Sequence, residues 1–211
     1  MILDRNTIEF IELLSSKEPT PGGGGAAATV GALAAAMGLM VANLTTGKKK
    51  YEEVEHQVQE ALHCLTREQK RLIELVDEDA KGFLPLAKAY KLPKNTKEEE
   101  KIKEEVMEEA LFTASQAPLA IMASILKVME QLKFLGENGS TLAISDAGVG
   151  ALFAESAMKA SSLNVFINTK MMKKEAVRKE LNKQADQMIE KAQKLKEEIY
   201  GTVLKNLKGD Q

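Results

Sequence analysis

The stretch from Pro19 to Tyr51, PTPGGGGAAATVGALAAAMGLMVANLTTGKKKY, constrains this chain more than any other. Pro19-Thr20-Pro21 and the glycines Gly22, Gly23, Gly24 and Gly25 predict a loop in which backbone can approach a ligand, because glycine carries no Cβ. Ala26 to Leu44 then read as one helix with almost no polar side chain. Gly47 stops it, and Lys48, Lys49 and Lys50 crowd its exit. A glycine loop opening a helix leaves free N–H groups at the positive end of the dipole, which suits an anion. A tight turn before a buried helix explains the same residues without a ligand.

The helix also says what must surround it. Ala27, Gly31, Ala34, Gly38 and Ala42 recur at three- and four-residue steps, a stripe that lets another helix backbone come close. A helix apolar all round is either the core of a bundle or a membrane span. Alanine and glycine make up much of it and are weakly lipophilic, and the remaining chain is heavily charged, so a bundle is expected and a membrane is not.

Composition agrees. The 211 residues are 44% hydrophobic and 28% charged, with 4% aromatics, no Trp and 10 Met, a profile that suits helices packed through Ala, Leu and Met. A net charge of −2 argues against a general nucleic-acid binder. Cys64 is the only cysteine, which excludes an intrachain disulfide and suggests a reducing cytoplasm. The opening MILDRNTIEF lacks a basic region followed by a long apolar run, so no signal peptide is expected.

Five further helices are predicted. Asn6 to Ser16 forms a short amphipathic one with Ile8, Ile11 and Leu14 on one face. Tyr51 to about Leu92 forms a long one, with Val58, Leu65, Leu72, Asp79 and Leu86 spaced by seven, beside a second row of Val54, Ala61, Glu68, Leu75, Gly82 and Ala89. Gly82 and Pro85 should bend its last turns. Glu98 to about Leu135 follows, opening on the acidic run Glu98-Glu99-Glu100, with a stripe of Ile102, Val106, Ala110, Thr113, Ala117, Ala120 and Ser124 and a kink at Pro118. After the break Gly136 to Ser140, Ser145 to Lys170 is a second small-residue helix, expected to lie beside the first in the core. Lys173 to Leu207 is a charged outer cover. With no strand signal and no domain boundary, residues 1–211 read as one all-α domain, a bundle of five or six mostly long helices.

Asp79 is the anomaly, a carboxylate in a row of Val and Leu. Burying an unpaired carboxylate is costly, so it meets a partner, turns outward, or faces a pocket. Asp146 stands in a first helical turn, where an acid is a common structural feature. Asn164 and Asn168 share one face at the far end of the same helix, where side-chain amides could simply bond neighbouring helices. Asp146 and Asn164 are about 27 Å apart along it and cannot meet at one small reacting centre in one subunit. His56 and His63, seven apart, look exposed and unlike a zinc pair.

The first block, PTPGGGG through KKKYEEVE, with DEDAKGF (Asp77 to Phe83), ISDAGVGA (Ile144 to Ala151) and NVFIN (Asn164 to Asn168) following in order, resembles the C-terminal domain family of formiminotransferase-cyclodeaminase. The resemblance spans nearly the whole chain. It implies an all-helical, homodimeric, cytoplasmic folate enzyme that needs no metal and no cofactor beyond its tetrahydrofolate substrate. Cyclodeamination of 5-formimino-tetrahydrofolate leads, with 5,10-methenyl-tetrahydrofolate cyclohydrolase as the alternative and a non-catalytic dimerising module as the second. On this resemblance Asp79 is the first candidate for the base or cation stabiliser and Asp146 the second. The N–H groups after Gly22, Gly23 and Gly24, with Lys48, Lys49 and Lys50, are candidates for the anionic tail of a polyglutamylated tetrahydrofolate, the expected partner. Asn164 and Asn168 complete the substrate-binding set. The family often has Ser or Ala at Gly25, and Asn in place of Ser140, where a change could alter substrate preference.

Overall fold

The computed structural model describes residues 1–209, and among them there are only helices, turns and loops. Its spine is α4, Lys97–Asn138, numbered after α1 (Thr7–Leu14), α2 (Gly23–Thr45) and α3 (Glu55–Tyr90); α5 (Ile144–Thr169) and α6 (Glu175–Lys208) follow. Short 3-10 turns occupy Ile2–Asp4, Lys49–Val54 and Thr141–Ala143. Thr96 caps α4 by accepting the Glu99 N–H while Glu99 reaches back, which makes the acidic run a solvated first turn. Beyond Ala110 the helix becomes core: Ile121, Met122, Ile125, Met129, Leu132 and Leu135 have no more than trace exposure.

The helices form two layers. α2 and α5 lie side by side on α3, α4 and α6, with α2 seated against α3 and α4, and α5 against α4 and α6. α2 and α5 run antiparallel. Thr45 Oγ1 accepts the Ser140 N–H at 2.8 Å at one end, a Cβ on Gly150 would lie 3.2 Å from the Ala34 carbonyl in the middle, and one on Gly23 would lie 3.4 Å from Asn164 Oδ1 at the other. The stripe Ala27, Gly31, Ala34, Gly38 and Ala42 is buried throughout, as its spacing predicts. A side chain on Gly38 would lie 2.9 Å from Leu65 and 3.2 Å from Leu132, so the backbone approach is real.

Four expectations need correction. α2 starts at Gly23 rather than Ala26: Gly22 is the extended N-cap, and Gly23, Gly24 and Gly25 form the first turn. α3 begins at Glu55, because Lys49–Val54 winds as a 3-10 segment through a non-helical Tyr51. α1 leaves Ile8, Ile11 and Leu14 exposed and buries only Phe10, since its principal contact is the N-terminal 3-10 turn. In α4 the predicted stripe is core only from Ala110 on. Ile102 and Val106, in the first turns of α4, are exposed, and Thr113 faces outward.

The outer side of the α2–α5 layer carries Leu33, Met40, Leu44, Val149, Leu152, Phe153, Leu163 and Ile167, all more than a third exposed. No charged residue occurs anywhere in α2. α2 and α4 are each long and apolar enough to cross a membrane, and in this fold just over half of each apolar stretch is packed inside the bundle.

Candidate active site

Asp79 sits where the core row of α3 opens. Val58, Leu65, Leu72 and Leu86 of that row are closed off from solvent, and Asp79 instead faces the first turn of α2. A Cβ at Gly24 would collide with the Asp79 carboxylate, so only glycine admits this approach. Burial pushes the Asp79 pKa up from an ordinary 3.8 to about 6, against the pull of the Gly25 N–H that it accepts.

The carboxylate lies in a pocket of about 210 Å³. The α2 entry supplies Pro19, Thr20, Gly22, Gly23 and Gly24; α3 adds Phe83, α4 adds Ala114 and Pro118, and α5 adds Asn164, Ile167 and Asn168. No Lys or Arg among the described residues lines it, so no cation holds Asp79 down. Its volume is below the roughly 300 Å³ lower bound usual for a drug-sized ligand. It is therefore too small to enclose a drug-sized ligand whole. Asn164 and Asn168 each donate an amide to a helix carbonyl, of Ala160 and Ala114 respectively, both at 3.0 Å. The predicted alternative, bonding to a neighbouring helix, therefore holds for Asn168, whereas Asn164 bonds its own helix; both residues line the pocket.

The other predicted residues are elsewhere. Lys48, Lys49 and Lys50 follow the opposite end of α2, about 33 Å from Gly23 along the helix axis. Asp146 is in the first turn of α5, at that same end, because the two helices are antiparallel. Ser140 is buried there too. The structure thus brings Asp79, Gly22, Gly23, Gly24, Asn164 and Asn168 together and places Asp146 and the three lysines apart from them within one chain.

This second end holds a residue that the sequence reading passed over. The Tyr51 hydroxyl accepts the Thr141 N–H at 3.2 Å, and Lys50 Nζ lies 5.2 Å from its ring centre. That backbone N–H, helped by Ser140 and Lys50 and opposed by burial, lowers the phenol pKa to about 8. Its only sequence signal is adjacency to the lysines. Glu68 was visible in the second row of α3 yet drew no attention. It is 2% exposed, accepts from Ser124 Oγ at 2.6 Å, and pairs with Arg67 at 2.9 Å and Lys127 at 3.4 Å. Burial would raise its pKa, but these three partners hold it below the usual carboxylate value. With all its partners inside the chain it is a structural pin. Among the described residues no group of three His, Cys, Asp or Glu side chains is placed to hold a metal.

A helical two-layer fold with a half-buried carboxylate facing a glycine first turn defines a class, and comparison with known proteins gives that class its name. The family model described as formiminotransferase-cyclodeaminase matches residues 6–187, and the chain belongs to this family. It is 40% identical over 198 residues to a methenyltetrahydrofolate cyclohydrolase of Methylorubrum extorquens, covering 93% of this chain and 95% of that one. It is 31% identical over 183 residues to the formimidoyltransferase-cyclodeaminase of Gallus gallus, where it spans 87% of itself and only 34% of the longer relative. The crystal structure of formiminotetrahydrofolate cyclodeaminase from Thermotoga maritima superposes with a TM-score of 0.87 at 25% identity, over 97% of this chain and 98% of that one.

Proposed function

We propose that this chain is a tetrahydrofolate one-carbon enzyme that closes 5-formimino-tetrahydrofolate to 5,10-methenyl-tetrahydrofolate with loss of ammonia. The observation that carries the reading is Asp79: a carboxylate with a pKa of about 6, in a small cationless pocket, within a family of such enzymes. N10 attacks the protonated formimino carbon, and ionised Asp79 accepts the N10 proton. The resulting acid delivers that proton to the amino group of the tetrahedral intermediate, and ammonia leaves as the methenyl cation forms. Charge and protons balance, and Asp79 ends ionised beside a cation, where it lowers the energy of the developing charge. Opening of the methenyl ring by water is the second reading. It is favoured by the 40% identity to a cyclohydrolase over nearly its full length. In that direction Asp79 takes a proton from the attacking water.

The chain is further proposed to work as a cytoplasmic homodimer joined through the outer α2–α5 face. The face is roughly 35 Å by 20 Å, or about 700 Å² a side, close to the ~800 Å² per partner of a standard interface. A two-fold axis crossing the helices would set α2 of one protomer antiparallel to α2 of its partner. Lys48, Lys49 and Lys50 of one copy would then reach the Asp79 pocket of the other, where a polyglutamate tail leaving that pocket needs cations.

Ultraviolet absorbance of the methenyl chromophore tests both reactions, followed with and without ammonia. Formation from the formimino substrate supports cyclodeamination, and loss in ammonia-free buffer supports hydrolysis. Turnover of neither compound leaves only the non-catalytic dimerising module.

A further inference from the structure

We propose that Asn168 is a positioning residue, locked by the proline break in α4, and that its oxygen, the Asn164 oxygen and the Asp79 carboxylate are the acceptors that hold the ammonia or water of the reaction. The inference rests on the reading of the preceding subsection and assigns the part of the pocket that faces the small reactant.

The argument starts at Pro118. Proline has no N–H and cannot bond the carbonyl four residues earlier, so the Ala114 carbonyl loses its helical partner inside α4. A buried orphan carbonyl is costly. Asn168, 8% exposed, supplies the missing donor: its Nδ2 bonds the Ala114 oxygen at 3.0 Å. A carbonyl accepts only, so the nitrogen must face Ala114 and the oxygen must face away. That oxygen makes no hydrogen bond among the described residues, and Asn168 lines the Asp79 pocket. Ser161, seven residues earlier on α5, donates to the Pro118 carbonyl at 2.9 Å and clamps the same irregular turn.

Asn164 is turned the same way. Its Nδ2 is taken by the Ala160 carbonyl, and its amide lies against Gly23 in the first turn of α2. With Asp79 ionised, these three side chains present two amide oxygens and a carboxylate, in a pocket that Thr20 and the first turn of α2 also line. Ammonia, with three N–H bonds, and water, with two O–H bonds, are the reactants whose hydrogens match such a set. The methenyl carbon offers no polar hydrogen. An amine leaving group held by its hydrogens stays aligned for protonation, and a water held the same way presents its lone pair to the carbon.

The test is ammonolysis of 5,10-methenyl-tetrahydrofolate followed by loss of absorbance, with ammonia and folate varied independently, or the hydrolysis kcat if water is the only reactant used. Asn168→Leu is expected to raise the KM for ammonia, or lower the hydrolysis kcat, at least tenfold, while the KM for the folate stays within about twofold. Pro118→Ala restores an N–H at position 118 and releases Asn168. It is expected to raise the thermal midpoint and still raise the ammonia KM, or lower the hydrolysis kcat, by several-fold. A merely structural Asn168 predicts the stability gain without the kinetic loss. Should Asn168→Leu fail to fold, Pro118→Ala carries the test alone. Active wild type with unchanged ammonia and water kinetics in Pro118→Ala overturns this inference and leaves the proposed reaction standing. Wild type that converts methenyl-tetrahydrofolate with neither reactant overturns both.

Discussion

The two ends of α2 are built from opposite chemistry. At its start, three glycines in the first turn let a half-buried carboxylate come against the backbone, in a pocket with no basic side chain among the described residues. At its end, Lys48 and Lys49 stand exposed around a hollow with Glu52 and Glu55, and Lys50, also exposed, lies beside a tyrosine whose phenol is already made more acidic by its neighbours. The first end suits a neutral or cationic reacting centre held out of water. The second suits an anion at the surface. A folate carries both kinds of group, and a single chain separates the two ends by the length of a helix.

Removing the carboxylate should give the largest effect. Asp79→Asn keeps shape and loses basicity, so kcat should fall by about 10²–10⁴-fold, the range general acid–base catalysis supplies. Stability should move the other way. A carboxyl group whose pKa rises from 3.8 to about 6 on folding binds more protons in the native state, so stability falls as pH climbs through that window. The cost at neutral pH is on the order of 3 kcal/mol. Asp79→Asn should therefore raise the thermal midpoint at pH 7.5 and change it little at pH 3.5. In the wild type, kcat/KM should fall as pH drops below about 6. A variant that keeps normal kcat, or a profile flat from pH 5 to 8, would remove Asp79 from the chemistry.

Gly24→Ala and Gly38→Leu sharpen the contrast between site and scaffold along one helix. The alanine methyl must displace the Asp79 carboxylate, and misplacement by about 1 Å can cost about 10²-fold in rate. Its expected signature is lost turnover with a modest change in midpoint. Gly38 touches Leu65 and Leu132, so Leu there overpacks the core, at about 1–3 kcal/mol or more. Its signature is lost stability with nearly normal kcat in the molecules that remain folded. Thermal melts alongside initial rates separate the two, and the reverse pattern would break the division of α2 into a working end and a packing middle.

The core fold was legible because small-residue stripes and heptad rows repeat often enough to be read from one sequence. Asp79 was legible for the same reason, as an interruption of a pattern. What escaped depended on chain reversal and on atoms without a periodic signature. The antiparallel pairing of α2 and α5 sends Asp146 away from Asp79, and the length of α2 itself does the same for the lysines. The value of Pro118 lies in the carbonyl it leaves free, which gains meaning once Asn168 arrives from a helix some fifty residues on. α1 misled because eight residues with an apolar face look amphipathic whether or not anything covers that face.

The smallest expected effect bears directly on how the two ends are reunited. Changing Lys48, Lys49 and Lys50 together to Gln should raise KM for a polyglutamylated substrate by roughly tenfold at low salt, because exposed pairs are individually weak and several must act together. High ionic strength should shrink the difference, and kcat should stay close to normal, as expected when uniform binding is lost. Mixing this variant with Asp79→Asn then decides where the lysines act. In an antiparallel dimer, a mixed pair contains one pocket with an intact Asp79 and the partner's intact lysines, so the low KM should return in part of the activity. If the lysines served the pocket of their own chain, every active site in the mixture would still lack them, and KM would stay high. If the triple variant shows no change in KM, the lysines are the solvated end of α2, and the contrast between its two ends has no part in binding.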